Sequence, residues 1–320
     1  MTTFCPSISA IICTKDRPIQ LQTCLHTIRA QSMKVKEIIV VDASDRYHAQ
    51  IEALCIAERE HCIVIYIRTS PGLPRQRNIG LLAATGTYCL FIDDDCELAP
   101  DAVQAFAKTL DLLKNDKHLG AIAGKIIEPF ENATGLKIVL GRIVEQTFCK
   151  LFFLQRKGNG NYLPSGQPTF CKSLQGKYCQ QIHGGFSLVN CTVAKSVRFD
   201  ETLCGYAYME DDDFAVRLTL NGFSNYYQPL AQAIHRHSKT GREPSFTVGK
   251  MFVRNWYYLF CKNFLGKQGN AAAFALALAA QPVFSLLKGR PIRAAGELCA
   301  IFTILKSLLW PLFLKGGNYP

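Results

Sequence analysis

The first 100 residues alternate short apolar runs with amphipathic stretches, and this pattern limits the folds open to the chain. The apolar runs lie at residues 8–13, 37–42, 63–67 and 88–92. Between them, apolar residues recur at helical spacing, as in Leu21, Leu25 and Ile28. Strands that are apolar on both faces and alternate with helices form parallel sheets covered on both sides. We therefore predict an α/β protein built on a doubly wound, mainly parallel sheet.

Polar residues follow three of these predicted strands at their carboxyl ends. Thr14 follows the first strand, Asp42 ends the second, and Asp93-Asp94-Asp95 follows the fourth. In open α/β sheets, ligands bind in the crevice outside the carboxyl ends of the strands. The agreement of all three positions predicts a ligand site at this edge of the sheet.

The acidic triplet at residues 93–95 is the strongest chemical feature of the chain. Adjacent carboxylates repel one another unless a cation or solvent compensates. Mg²⁺ and Mn²⁺ take carboxylate oxygens together with substrate phosphate. Because alternate residues at a strand end point the same way, Asp93 and Asp95 are predicted to converge on one site. A solvated acidic turn before the helix near Pro100 accounts for the triplet equally well.

Each of three other polar groups allows a structural and a functional interpretation. The acidic run Glu210–Asp213 begins a helical pattern, where the helix dipole stabilises it, but it also supplies a candidate general base. Arg77 lies between two strands and either neutralises a diphosphate or serves solubility. His235 opens an H-x-H pair with His237 and is either structural or a metal ligand.

The cysteines and the N-terminus bear on the compartment. The chain has 14 scattered cysteines with no C-x-x-C pair, which favours buried thiols in a reducing environment over a zinc site or a disulfide framework. Its first apolar stretch, residues 8–13, is too short for a signal peptide and runs into charged residues. These features predict a cytoplasmic protein.

The last quarter of the chain differs in kind. Eight of the eleven net positive charges lie beyond residue 240, beside apolar runs at residues 271–287 and 300–314. Each run is shorter than the ~20 clean apolar residues that a membrane span needs. Two shallow interfacial helices or a re-entrant hairpin on an anionic membrane surface are therefore predicted, with Trp256 and Trp310 at the headgroups. A packed helical subdomain is the alternative. Nucleic acid is disfavoured as the partner, because the apolar runs would then have no role.

Several short motifs occur in an order that resembles the family 2 glycosyltransferases of GT-A fold. The resemblance covers roughly residues 7–265. Its matching pieces are residues 12–17, 39–42, 77–80, 91–95, 199–201 and 210–214, then Arg217, Gly222-Phe223 and His235. The ordered set, rather than any one piece, carries the resemblance.

The resemblance implies roles for particular residues. The nucleotide-sugar-binding residues would be Thr14, Asp42, Arg77 and Asp93, the metal ligands would be Asp93, Asp95 and His235, and the catalytic base would be Asp211. Asp95 would be the more direct ligand of Mn²⁺ or Mg²⁺. The family often has a second aspartate where this chain has Ala43, so base recognition is expected to differ.

The function implied is a metal-dependent, inverting transfer of a sugar from a nucleotide-sugar donor to a glycan or lipid-linked acceptor. A nucleotidyltransferase of similar fold is one alternative, although residues 14–18 lack the Gly-rich loop expected after its first strand. A non-catalytic, basic membrane adaptor is the other.

The predicted organisation has a glycosyltransferase domain at residues 1–265 and an apolar, basic helical segment at residues 266–320. Within the domain, residues 1–128 form the nucleotide-binding half and residues 129–265 the acceptor-binding half. From residue 129 to 181 the periodicity weakens and Gly, Asn, Pro and Lys accumulate, which predicts long loops that shape an acceptor site.

Overall fold

A computed structural model describes residues 5–128, 145–155, 157–236 and 243–315, with side chains to residue 308. The chain divides into two compact units. The sheet unit comprises the described parts of residues 1–133, 157–161 and 169–242. The helical unit comprises those of residues 134–156, 162–168 and 243–320. The predicted boundary at residue 265 therefore falls inside the helical unit, and two short segments of the predicted acceptor half belong to that unit.

The sheet unit contains the strands β1 (Ile8–Thr14), β2 (Glu37–Asp42), β3 (Val64–Arg68), β4 (Tyr88–Asp93), β5 (Cys96–Leu98), β6 (Leu119–Ile127), β7 (Lys157–Gly158), β8 (Phe170–Cys171), β9 (Lys177–Cys179), β10 (Phe186–Asn190) and β11 (Ser224–His235). One mixed sheet has the order β3-β2-β1-β4-β10-β6-β11-β5, and β9 pairs with β11. Strands β1, β2, β3, β4, β6 and β11 run in one direction, and β10 is inserted antiparallel between β4 and β6. The short pair β7–β8 lies outside this sheet.

Helices cover both faces of the sheet. They are α1 (Pro18–Arg29), α2 (His48–Glu58), α3 (Leu73–Ala83), α4 (Ala102–Leu112), α5 (Cys191–Val197) and α6 (Glu210–Leu220). In β1, Ala10 and Ile12 pack in the core with α1, α2 and α4, whereas Ile11 packs in the core with α3, α5 and α6. This alternation confirms the predicted doubly wound, mainly parallel fold, because only a strand buried on both faces is apolar throughout.

Three features fix the position of the helix that carries Arg77. Proline in its first turn suits a helix start, where the missing N–H costs no hydrogen bond. Gly80 then lets α3 approach β1, because a Cβ at this position would lie 2.5 Å from Cγ2 of Ile11. Gln76 adds a bridge by donating to the carbonyls of Thr14 (3.1 Å) and Val41 (2.9 Å). The start of α3 is thus tied to the carboxyl ends of β1 and β2.

The helical unit contains α7 (Ser245–Leu259), a π-helical turn (Phe260–Phe264), α8 (Ala271–Leu287) and α9 (Pro291–Lys315). Helices α7 and α9 cross closely, since a Cβ on Gly249 would overlap the carbonyl of Arg293 and one on Gly296 would overlap that of Phe246. Trp256 is fully buried and donates to the carbonyl of Ser165 at 2.9 Å.

The sequence predicted that Trp256 lies at the membrane headgroups. This prediction is wrong, because the ring of Trp256 fills the core of the helical unit. The side chain of Trp310 lies outside the described residues. The apolar run at residues 271–287 coincides with α8, and the second run falls within the single long helix α9. Among the helices that the structure describes, none combines the length and apolarity needed to cross a membrane.

Candidate active site at the carboxyl ends of the central strands

The central carboxylate of the triplet, Asp94, is turned into the protein. Its Oδ2 accepts from the Thr14 hydroxyl at 2.7 Å, and its Oδ1 accepts from Arg17 at 2.9 Å. Burial raises the pKa of Asp94 to about 6, although Arg17 and the two hydrogen bonds oppose this rise. Asp94 thus ties β1 to β4, and the buried Thr14 hydroxyl serves this contact in the structure.

The first carboxylate, Asp93, faces outward but is held from one side. Its Oδ1 accepts from Nη2 of Arg77 at 3.2 Å, and 36% of its side chain is exposed. Its backbone N–H donates to the carbonyl of Gly185 at 3.0 Å. A Cβ on Gly185 would overlap the Asp93 carboxylate, so glycine at this position lets the carboxylate keep its place. The partly exposed oxygen surface of Asp93 is available to a ligand.

Arg77 joins three elements of the sheet unit. Its Nη1 donates to Oε1 of Glu210, its Nη2 to Asp93, and its guanidinium stacks on Phe199, 5.3 Å from the ring centre. Only 4% of the Arg77 side chain is exposed, and a Cβ on Gly184 would overlap its guanidinium. The guanidinium is therefore committed to two carboxylates, so its predicted contact with a diphosphate stays a prediction.

Glu210 is the buried partner of Arg77. Its side chain is 6% exposed, and its Oε2 has no hydrogen-bond partner among the described residues. Burial raises the pKa of Glu210 to about 8, although Arg77 opposes the rise. The raised pKa marks a carboxyl whose charge is stabilised by one neighbour only.

The third carboxylate, Asp95, lies beside a histidine from the distant strand β11. Oδ1 of Asp95 is 3.0 Å from Nε2 of His235, and Oδ2 is 3.6 Å from Nη1 of Arg17. Nδ1 of His235 lies 3.8 Å from Oε1 of Glu128. Burial opposes protonation of His235, but the hydrogen bond and charge of Asp95 prevail and raise its pKa. His237 of the same H-x-H pair lies outside the described residues.

These side chains form a group that could hold a cation. Potential ligand atoms of Asp95, Cys96 and His235 lie within 4.8 Å of one another. Burial raises the pKa of the Cys96 thiol far above its usual range, and sulfur is a soft donor that the hard cations Mn²⁺ and Mg²⁺ do not prefer. The remaining oxygen and nitrogen donors suit Mn²⁺ or Mg²⁺. Asp95 and His235, two of the three predicted metal ligands, therefore lie together. The third, Asp93, contacts Arg77 through Oδ1 and is partly exposed, so its predicted role as a metal ligand stays a prediction.

The predicted base, Asp211, lies at the N-terminus of α6. Its Oδ2 accepts from the backbone N–H of Gly184 at 3.0 Å, and the positive end of the helix dipole stabilises its charge. Two residues just before the helix, Ala207 and Met209, have left-handed φ values of 49° and 71°. Such strained backbone is typical of functional segments.

Asp213, another acidic residue of this run, has a structural partner. Asp213 is fully buried and accepts from Nε of Arg217 at 2.7 Å. Arg217 also donates to the carbonyls of Val197 and Arg198 at the end of α5. Asp213 and Arg217 thus join α5 to α6, which leaves Asp211 as the carboxylate of the run that faces Gly184.

Asp42 is one of several predicted site residues that are buried in the structure. It is fully buried, its Oδ1 accepts from the N–H of Ser44 at 2.8 Å, and its Oδ2 accepts from the Tyr66 hydroxyl at 2.8 Å. Its backbone lies beside Thr14, with which it is paired in register. Its predicted contact with a nucleotide stays a prediction.

Sequence reasoning gave four contributors to this site no role of their own. Arg17 and Glu210 pair with predicted site residues, and Gly184 and Gly185 make room for Arg77 and Asp93. The signal for the glycines was their adjacency just before β10, where a turn or a close approach is expected. No local signal marks Glu210 as the partner of Arg77, since the two lie 133 positions apart.

The fold and this site define a class: an α/β transferase of GT-A fold, with acidic residues and a histidine at the carboxyl ends of the central strands. The model of the family described as "Glycosyl transferase family 2" matches residues 9–181, more than half of the chain. The chain belongs to glycosyl transferase family 2, and it is a nucleotide-sugar-dependent glycosyltransferase.

Individual relatives agree with this assignment. The GalNAc(5)-diNAcBac-PP-undecaprenol beta-1,3-glucosyltransferase of Campylobacter jejuni is 23% identical over 263 residues, covering 79% of this chain and 82% of the relative. EpsH of Bacillus subtilis is 28% identical over 104 residues, a match that spans 32% of this chain and only 30% of EpsH. The fold is shared with the mannosyltransferase PcManGT of Pyrobaculum calidifontis in complex with GDP-Man and Mn²⁺ (TM-score 0.56, 16% identity, 99% of this chain and 82% of that one).

Proposed function

We propose that this chain is a metal-dependent, inverting glycosyltransferase that moves a sugar from a nucleotide-sugar donor to a hydroxyl of a glycan or lipid-linked acceptor. The observation that carries the proposal is the approach of His235 to Asp95, 3.0 Å apart at the end of β4. An oxygen–nitrogen donor pair beside the outward-facing Asp93 is suited to a divalent cation that also binds phosphate. The solved PcManGT complex contains Mn²⁺ and GDP-Man, which supports this choice of ligands.

The proposal gives the residues of the site separate roles in binding the metal and the nucleotide. A bound Mn²⁺ or Mg²⁺, held by Asp95 and His235 with Asp93 as the further ligand, would offset charge on the diphosphate. Thr14 and Asp42 would line the nucleotide pocket, and Arg77 would contribute positive charge near the diphosphate. The hydrogen bonds of Asp94 to Thr14 and Arg17 keep the carboxyl end of β4 in place.

Asp211 would take the proton of the acceptor hydroxyl. The Gly184 N–H holds one of its oxygens, so the carboxylate is oriented before the acceptor binds. The acceptor oxygen attacks the anomeric carbon, the bond to the diphosphate oxygen breaks, and its electron pair leaves with the nucleoside diphosphate. Attack from the face opposite the leaving group inverts the anomeric configuration.

A lipid-linked acceptor on the cytoplasmic face of an anionic membrane is part of the proposal. The Campylobacter relative is named for an undecaprenol-linked substrate, and this chain covers 82% of it. The basic, apolar C-terminal quarter would keep the enzyme where such acceptors lie.

Isothermal titration of UDP, GDP and dTDP with and without Mn²⁺ tests the binding step, and donor hydrolysis across a panel of nucleotide sugars tests turnover. Asp95→Asn is expected to abolish the metal-dependent part of the binding. Asp211→Asn is expected to retain that binding while lowering turnover by about 10²–10⁴-fold. Asp111→Asn, an exposed acid on α4, is the matched control and should change neither quantity.

Two outcomes would overturn the proposal. Absence of metal-dependent binding to all three nucleotides would exclude a metal-dependent transferase. Release of pyrophosphate from a nucleoside triphosphate and a sugar phosphate, without donor hydrolysis, would instead identify a nucleotidyltransferase.

A further inference from the structure

The exposed charges of helices α7, α8 and α9 are all positive. Between residues 245 and 320 the sequence contains a single acidic residue, Glu297. Glu297 is fully buried, and its Oε1 accepts from Gln281 (3.0 Å), Ser285 (2.9 Å) and Arg293 (3.1 Å). Basic side chains of this segment, among them Lys288, Arg290 and Lys306, are exposed. The only negative charge of the three helices is thus withdrawn into the interior of the unit.

Large apolar side chains are exposed beside these basic residues. At the turn between α8 and α9, Leu287 and Ile292 are 62% and 63% exposed, and they flank Lys288 and Arg290. Along α9, Leu298, Phe302 and Leu305 are exposed at the i, i+4, i+7 spacing of a single helical face. We call these five apolar residues the docking surface.

The composition of the docking surface identifies its occupant. One acid lies beside these residues, since Oε2 of Glu145 is 2.6 Å from Nζ of Lys288. Apolar side chains interleaved with an excess of lysine and arginine are typical of helices that lie in the interface of an anionic bilayer. A second copy of the chain would bring the same positive charges face to face, which opposes association through this surface. No described helix is long and apolar enough to cross a bilayer.

We propose that the docking surface inserts into the headgroup region of an anionic leaflet, with Lys288 and Arg290 against lipid phosphates and Phe302 and Leu305 among the upper acyl carbons. The inference deepens the proposed membrane location and rests on it. It makes α9 an in-plane helix that is anchored by its first turn. The docking does not require the donor site to be occupied.

Sedimentation of the full-length chain with vesicles tests this inference. One set of vesicles contains about 30% phosphatidylglycerol in phosphatidylcholine, which gives a roughly physiological surface charge, and the other set contains phosphatidylcholine alone. The wild-type chain is expected to bind the anionic vesicles and to dissociate as salt rises. The double variant Lys288→Glu/Arg290→Glu should bind them at least ~10-fold more weakly, since each basic residue near the surface contributes about fivefold.

The apolar part is tested by Phe302→Ser/Leu305→Ser, which should also weaken vesicle binding about 10-fold or more. Leu112→Ser at the end of α4 and Lys114→Glu just after it remove an exposed apolar and an exposed basic residue from the sheet unit, and both variants should bind as the wild type does. All variants should hydrolyse the donor at the wild-type rate without vesicles. Failure of docking is thereby distinguished from failure of the proposed catalytic function.

Three results would overturn the inference. The first is equal binding of the wild type and both double variants to anionic vesicles. The second is equal binding of the wild type to vesicles with and without phosphatidylglycerol. The third is a halving of the molar mass in solution on Phe302→Ser/Leu305→Ser with unchanged vesicle binding, which would assign the surface to a second copy of the chain.

Discussion

Replacing Arg77 by methionine should expose how strongly the site depends on one buried cation. The guanidinium lies between Glu210 and Asp93, and the side chains of Arg77 and Glu210 are almost wholly buried. Methionine keeps most of the volume but leaves the Glu210 carboxyl without its partner. Breaking a buried ion pair from one side costs about 3–5 kcal/mol, so the free energy of unfolding should fall by that amount above pH 8, where Glu210 is ionised in the wild type, and by less at pH 7.

A double variant separates stability from catalysis. In Arg77→Met/Glu210→Leu both buried charges are absent, and a well-packed apolar pair can stabilise as much as the ion pair did. Most of the lost stability should therefore return. Turnover should not return, because Asp93 still lacks the group that orients its carboxylate. We expect turnover at least ~10²-fold below wild type in both variants, by analogy with other misplaced site groups.

The assay combines urea unfolding with steady-state donor hydrolysis on the same preparations. Unchanged denaturant slopes would show that the midpoint shifts report stability alone. Arg59→Met is the matched control, since this exposed arginine lies at the end of α2, and it should cost under about 1 kcal/mol. The reasoning is refuted if Arg77→Met costs less than about 1 kcal/mol, or if the double variant recovers turnover to within about threefold of wild type.

Three further outcomes follow from individual contacts. The pKa of Glu210 in the folded protein is about 8, above the usual 4.5, so its titration lowers the free energy of unfolding as pH rises between these values. Glu210→Gln lacks this titration, so its melting temperature relative to that of wild type should rise from pH 5 to pH 8. A constant difference across that range would contradict the prediction. Asn78→Ala should lower the free energy of unfolding, measured in urea, by about 2–4 kcal/mol, because the substitution leaves the N–H and the carbonyl of Phe199 unpaired. Thr202→Ala, in the neighbouring exposed turn, is the control. Gly249→Val should cost about 1–3 kcal/mol or more by overpacking α7 against the Arg293 carbonyl, and a melting temperature equal to wild type would show that α9 can shift freely.

The strands and their order along the chain could be predicted because burial leaves a local record. Strand β1 is apolar at successive positions since Ile11 and Ile12 face different cores, and α8 coincides with an apolar run because most of its composition is alanine and leucine. The position of the acidic triplet at the end of β4 was equally visible. These features depend on residues within a few positions of one another, so a periodic pattern suffices to reveal them.

The boundary of the helical unit depended on distant contacts. Residues 162–168 belong with α7 because the buried indole of Trp256 binds the carbonyl of Ser165, 91 positions away. Nothing near residue 165 predicts that contact, and a tryptophan in a basic, apolar segment resembles an interfacial anchor by composition. Burial of Trp256 could be established only from the packed structure.

The division of labour among the carboxylates was also decided by tertiary structure. By sequence alone, Asp93, Asp94 and Asp95 are chemically equal neighbours, and the alternation of a strand separates only the middle one. In the fold, Asp94 turns inward to Thr14 and Asp95 meets His235 of β11. Asp93 binds Arg77 of α3 in turn. Each partner belongs to a segment that is distant in sequence, so its identity depends on the order of the strands and on the closing of long loops. Local periodicity does not reveal either of these.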